Sequence, residues 1–332
     1  MHKSMKYGLF VLVVLVLSCS VSLFAQGAKA SSDQYEIVTV VKITGIPWFN
    51  RLEEGVMQAK NELGINAYQI GPADADPAQQ VKMVEDLISK GVDAICVTPN
   101  DATALEPVFK KAREKGILII THESPDQAGK DVDIELIDNV AFAKRTWDML
   151  VEGMGTSGEY AVFVGGLTVP LHNLWVDEGI KYAATKYPDL KLVTSRIPCG
   201  EDQELSKQKT LELLKTYPNL KGIVGFGSLG PPGAAQALKE KGKAGKVAVV
   251  GTVIPGHAAP YLKDGSMTKG ILWDPKDGGY SMSWLAKYML DGGDYRELKE
   301  IPGVGKITLD GDVMKVNAMM DITKENADSF GF

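Results

Sequence analysis

Residues 35–49, Tyr35-Glu36-Ile37-Val38-Thr39-Val40-Val41-Lys42-Ile43-Thr44-Gly45-Ile46-Pro47-Trp48-Phe49, contain a change of period that decides the fold. Up to Ile43 the stretch is β-branched, apolar and nearly continuous, as expected of a strand covered on both faces. Pro47 then opens a helix. Its apolar positions Phe49, Leu52, Val56, Ala59 and Leu63 recur at three- and four-residue steps, and Gly64 ends it. A buried strand that runs straight into an amphipathic helix begins a parallel βα unit.

The unit repeats outward from there. Strands are predicted over 65–70, 94–98 and 117–121. They are separated by helices that turn Val81, Val84, Leu87 and Ile88, then Leu105, Val108, Phe109 and Ala112, inward. The rhythm restarts after Asp138-Asn139, with strands over 160–164, 191–195, 222–226, 247–251 and 267–273 and helices between them. Two such sets predict an α/β fold of two doubly wound parallel-sheet lobes joined by a three-crossover hinge. The expected division is 35–137 plus 275–300 for the N-terminal lobe and 138–273 plus 301–320 for the C-terminal lobe. The crossovers are expected near 137–138, 273–275 and 300–302, where the rhythm pauses and no long linker exists.

The N-terminus sets the compartment. Lys3 and Lys6 precede an unbroken apolar run over 10–17, and small residues follow, the layout of a signal peptide over 1–25. Val16-Leu17-Ser18-Cys19 approximates a lipobox with Cys19 as the acylated residue; ordinary cleavage after Ala25 is the alternative. Loss of this segment takes the net charge from −6 to −8, a poor match to phosphate backbones or anionic lipid. The expectations are export to the periplasm or cell surface, no nucleic acid, no membrane contact beyond a lipid anchor, and a monomer. Cys96 lies in an apolar run and reads as core. Cys199 reads as loop, and the two are so far apart in sequence and context that pairing is not expected.

In open parallel sheets ligands gather at the carboxyl ends of strands. Those ends carry Lys42, Trp48 and Phe49 after the first strand, Glu123 after the fourth, His172, Asn173 and Trp175 after the Tyr160 strand, and Trp273-Asp274 after the last. Ring faces together with a few charged and amide groups suit a small polyhydroxylated solute. Lys42 and Glu123 fit an ion pair between strand ends as well as a ligand contact. Gly225-Phe226-Gly227-Ser228-Leu229-Gly230 matches a dinucleotide fingerprint, but no acid ends the next strand, so it reads as a tight turn at the cleft rim. No zinc-protease helix, nucleophile elbow or P-loop occurs, so no cofactor, metal or enzymatic activity is expected.

Further residues carry a likeness to a known family. Val97-Thr98-Pro99-Asn100-Asp101, Lys42-x-x-Gly45-x-x-x-Phe49, Thr168-Val169 with Asn173 and Trp175-Val176, Ala234-Ala235-Gln236-Ala237 and Leu272-Trp273-Asp274 resemble the type I periplasmic solute-binding proteins. These are the sugar-binding components of ABC importers, and the likeness is closest to the autoinducer-2 and rhamnose receptor branch. It implies a substrate-binding component that closes on a small sugar or deoxysugar and hands it to an ABC permease. Lys42 matches the branch, while Glu123, Leu171-His172 and Phe226-Gly227-Ser228 replace its aspartate, Asp-Gln pair and Pro-x-Ala turn. Leu171 and Phe226 are expected to make the second lobe's wall more apolar. The alternatives are an autoinducer-2 receptor of the same fold and an exported α/β hydrolase using Glu123 and Asp274. Mass spectrometry of the mature N-terminus should find an acylated Cys19; a start near Gln26 without an acyl group removes the anchor, and an intact Met1 removes export as well.

Overall fold

The computed structural model describes residues 34–332. The predicted signal segment, its apolar run over 10–17 and Cys19 lie outside the described residues. The first lobe is built from β1 (Glu36–Val40), α1 (Pro47–Leu63), β2 (Asn66–Ile70), α2 (Pro77–Lys90), β3 (Ala94–Val97), α3 (Ala102–Glu114), β4 (Leu118–His122) and β5 (Val132–Glu135). The chain then forms α4 (Asn139–Met154), β6 (Ser157–Val164), α5 (Pro170–Lys186), β7 (Asp189–Leu192), β8 (Ile197–Pro198) and α6 (Gln203–Thr216). It continues through β9 (Leu220–Gly225), α7 (Gly230–Glu240), β10 (Ala248–Thr252), α8 (Pro255–Lys263) and β11 (Lys269–Leu272). The remainder is α9 (Pro275–Leu290), β12 (Glu300–Ile301), β13 (Gly305–Lys306), β14 (Thr308–Asp310), β15 (Val313–Lys315) and β16 (Met320–Ile322).

Each lobe has its own sheet. The first runs β14-β15-β5-β4-β3-β1-β2 and the second β16-β11-β10-β9-β6-β7, with β8 also paired to β6. Without the antiparallel edge strands β14 and β16, and setting aside β15, which extends only the first sheet, the two orders correspond, each a doubly wound sheet that reverses direction beside its first strand. Alternation along β1 explains the two layers of the first lobe. Ile37 and Val41 face Phe49, Leu52 and Val56 of α1, whereas Val38 and Val40 face Val84, Leu87, Leu105 and Phe109 of α2 and α3. Among the described residues no helix is long and apolar enough to cross a membrane. Cys96 and Cys199 are both buried and unpaired, and burial pushes each thiol up to about 12.

The chain steps from sheet to sheet between β5 and α4, between β11 and α9, and between β15 and β16. The last step corrects the expectation of a crossover at 300–302 and of residues 301–320 in the second lobe. The pause around Pro302-Gly303 is the turn of a small hairpin, β12–β13. β15 then adds to the first sheet, with Val313 opposite Asp133 and Lys315 opposite Glu135, so the chain leaves that lobe only at 316–319. There the Val316 and Ala318 amides donate to the Glu135 and Leu136 carbonyls at 2.7 and 2.9 Å, tying the third crossover to the first.

Helix α9 returns to the first lobe and lies along α1. A Cβ on Gly55 would run into the Lys276 carbonyl, which is backbone and cannot yield. Gly55→Ala is therefore expected to lower stability by about 3 kcal/mol through overpacking, read as a reduced denaturation midpoint at unchanged m-value.

Candidate functional site

The facing carboxyl ends of the two sheets enclose a narrow cavity. From the first lobe Lys42, Ile46, Trp48, Phe49 and Glu123 line it. From the second come His172, Trp175, Glu201, Gly227, Ser228 and Thr252, and Trp273 stands at the second crossover. Across the mouth the Thr168 hydroxyl of the second lobe donates to the Asn100 carbonyl of the first at 3.0 Å. The lobes are shut on the site.

On the first lobe, Lys42 Nζ lies 2.7 Å from Glu123 Oε2, and each side chain is only 3% exposed. Nζ also sits 5.8 Å from the centre of the Phe49 ring. The Lys42 carbonyl accepts from the Asn100 amide side chain at 2.8 Å. Gln80 of α2, fully buried, donates to the Val41 and Thr98 carbonyls and accepts from the Asn100 N–H, joining these strand ends into one rigid floor.

On the second lobe, His172 Nδ1 accepts from the Gly165 N–H at 3.1 Å. That bond assigns the ring proton to Nε2, which lies 3.8 Å from Glu201 Oε1. Burial, and then the Lys42 charge, hold the imidazole well below its usual range, so it stays neutral. Glu201 is itself buried, and desolvation raises its carboxyl. Glycines make room for it. A Cβ on Gly165 would strike Oε1, and one on Gly227 would stand 2.6 Å from Oε2. Among the described residues only Glu123 and Glu201 are non-glycine residues with positive φ, at 62° and 54°. Two carboxylates, one from each lobe, are thus turned into the same cavity by left-handed backbone, a conformation kept where the surroundings over-determine it.

The aromatic walls meet at Trp273. Its ring packs edge-on against Trp48 at 5.1 Å and Trp175 at 5.9 Å, and Trp175 Nε1 is tied to Asn139 Oδ1 at 2.8 Å. Trp273 Nε1, Ser228 Oγ and Thr252 Oγ1 are buried with no hydrogen-bond partner in the protein. These three belong to residues that line one cavity.

Seven of the nine predicted ligand contacts line this cavity; Asn173 and Asp274 do not. The Asn173 amide donates to the Gly166 and Val169 carbonyls at the start of α5, and its Oδ1 accepts from Arg196 at 2.8 Å. One residue along a helix rotates a side chain about 100°, so 172 and 175 share a face that 173 does not. Asp274 takes a two-pronged bond from Arg51, at 2.9 and 2.6 Å, and caps α9 at the Lys276 N–H. The expected apolar second-lobe wall is also corrected. Leu171 and Phe226 are fully buried and neither lines the cavity, while Glu201 brings a carboxylate there. Glu201 is not legible from sequence periodicity because β8 spans two residues, too short for a strand period; an acid three residues beyond a strand end is the one local signal.

Two lobes of matching strand order, crossed three times by the chain and sharing a cavity at their facing strand ends, define a type I periplasmic binding protein fold. Residues 37–294 match the periplasmic binding protein domain family, and the chain belongs to it. It is 27% identical over 287 residues to the D-allose-binding periplasmic protein of Escherichia coli K12, covering 84% of this chain and 89% of that one. LsrB from Clostridium saccharobutylicum in complex with AI-2 superposes with a TM-score of 0.82 at 23% identity, covering 90% of this chain and 100% of that chain. An ABC transporter solute-binding protein from Clostridium phytofermentas with bound L-rhamnose gives 0.81 at 24% identity, covering 89% and 98%.

The raised Glu201 carboxyl has a pH signature. Between the ordinary carboxyl value and its own higher one, the folded protein holds a proton that the unfolded chain has lost. Stability on this account falls as pH rises through that window. Ligand-free Glu201→Gln is expected to melt above wild type at neutral pH, with the difference closing below about pH 4.5. Parallel melting curves from pH 4 to 8 check this.

Proposed function

We propose that the protein is the exported solute-binding component of an ABC importer, non-enzymatic, and that its solute is a small sugar-like molecule passed to a membrane permease. The observation that carries this reading is the composition of the cavity wall. Both lobes contribute, aromatic planes stand beside buried charges, and the orphaned hydroxyl and indole groups match a ligand rich in hydroxyls. Lys42, Trp48, Phe49 and Glu123 hold the solute from one side, and His172, Trp175, Glu201 and Trp273 from the other. A ligand that touches both walls favours the closed arrangement, because its affinity for that state exceeds its affinity for the open one. The relatives named for D-allose and L-rhamnose support the solute class.

A second reading, a receptor for AI-2, is favoured by the likeness to LsrB and by Glu201, a carboxylate on the lobe where Leu171 offers none. The hydrolase pairing of Glu123 with Asp274 is not assembled, since Asp274 is bound to Arg51 and does not line the cavity.

A thermal-shift screen of pentoses, hexoses, deoxysugars, polyols and AI-2 on the mature protein tests the reading, because a saturating ligand stabilises only the form that binds it. At least one carbohydrate should raise the melting temperature without being consumed. Trp48→Ala should then weaken that solute by about 2 kcal/mol in calorimetry. Silence across the panel, or turnover of a member, would sink the proposal.

A further inference from the structure

The charges of the cavity do not balance, and the imbalance bears on what the solute carries; the inference rests on the receptor reading above. Glu123 has its cation, Lys42, at 2.7 Å. Glu201 has none. The one basic group within 4 Å of it among the described residues is His172, whose Nδ1 accepts from Gly165 and whose Nε2 stands 3.8 Å away, a neutral ring in contact range. The Glu201 side chain is 3% exposed, so bulk solvent screens it little. A buried carboxylate without a cation is among the costliest groups a protein can hold. This one is also held in left-handed backbone, between two positions where only glycine leaves it space.

A second, independent feature meets it in the same cavity. The Trp48 and Trp273 planes stand at 87° and those of Trp175 and Trp273 at 68°, so indole surfaces bound the space from several directions. Indole faces attract cations, and aromatic walls beside a carboxylate form a recurring setting for ammonium groups. Ser228 Oγ and Thr252 Oγ1, both orphaned, can accept the remaining N–H bonds.

We propose that the solute is a polyhydroxylated molecule bearing a protonated amine, an aminosugar or amino-alditol, with the ammonium seated between Glu201 and the indole walls and the hydroxyls on the Lys42–Glu123 side. A univalent cation brings the cavity, with one lysine and two glutamates, to neutrality. A neutral sugar leaves Glu201 uncompensated.

Calorimetry on the mature protein near neutral pH tests this with matched ligands: D-glucose, D-glucosamine and N-acetyl-D-glucosamine; D-galactose and D-galactosamine; sorbitol and its 1-amino-1-deoxy analogue. D-Allose, D-ribose, xylitol and L-rhamnose serve as neutral controls. At least one amine should bind tenfold or more tighter than its hydroxyl parent, the scale of one charge-assisted contact, and N-acetylation should abolish the gain. In Glu201→Gln, checked for wild-type circular dichroism, the preference should collapse to within about threefold, as expected when that contact is lost. The wild-type comparison decides the matter even if the variant does not fold. Neutral sugars binding as well as or better than every amine would overturn the inference and leave the receptor reading intact. A preference that survives in Glu201→Gln would overturn the assignment to that residue. Binding by neither class would overturn both.

Discussion

The contact between Lys42 and Glu123 constrains everything around it. An ion pair whose partners are each 3% exposed is not stabilising merely by existing, because the desolvation of both groups offsets much of their attraction. Once it is buried, however, removal of one partner strands the other, at a cost of roughly 3–5 kcal/mol. The strand ends that carry the pair must therefore stay in register. The buried Gln80 amide does this by clamping the Val41, Thr98 and Asn100 main chains, and Asn100 in turn receives Thr168 from the opposite lobe. One electrostatic commitment thus runs from a strand end to the closure of the cleft.

The hinge shows the same economy. Trp273 is both the last residue before the second crossover and the ring on which Trp48, His122, Phe142 and Trp175 converge. Asp274, the next residue, is fixed to Arg51 of α1 and caps α9. Under the receptor reading, a solute against the Trp273 ring would press on the segment that connects the lobes. The first and third crossovers are hydrogen-bonded side by side near Glu135, whose burial and proximity to Asp133 raise its carboxyl well above the ordinary range. Under the receptor reading the cavity wall and the crossovers share residues, which would couple occupancy to lobe closure.

The likeness to solved structures at 23–24% identity is a statement about the scaffold. Differences in wall chemistry at that identity decide the solute, and fold alone does not supply them. Glu201, Ser228 and Thr252 are the residues in which this chain's specificity resides under the receptor reading.

The amino-acid sequence alone determined the alternation of buried strands and amphipathic helices, the two-lobe α/β architecture, and which strand ends bear aromatic and charged groups. These properties are periodic, and a period is visible without coordinates. Only the tertiary structure decided which of those groups converge. Asn173 and Asp274 satisfy local backbone and Arg51, Leu171 and Phe226 turn into the core, and Glu201 swings into the cavity from a loop with no readable period. The third crossover moved for a similar reason, since parallel pairing of β15 with β5 is a long-range contact that no local pattern announces. Side-chain direction at a strand end depends on irregular φ and ψ and on what packs behind it. At Glu123 and Glu201 that backbone is left-handed, a state that propensity disfavours and only the assembled surroundings enforce.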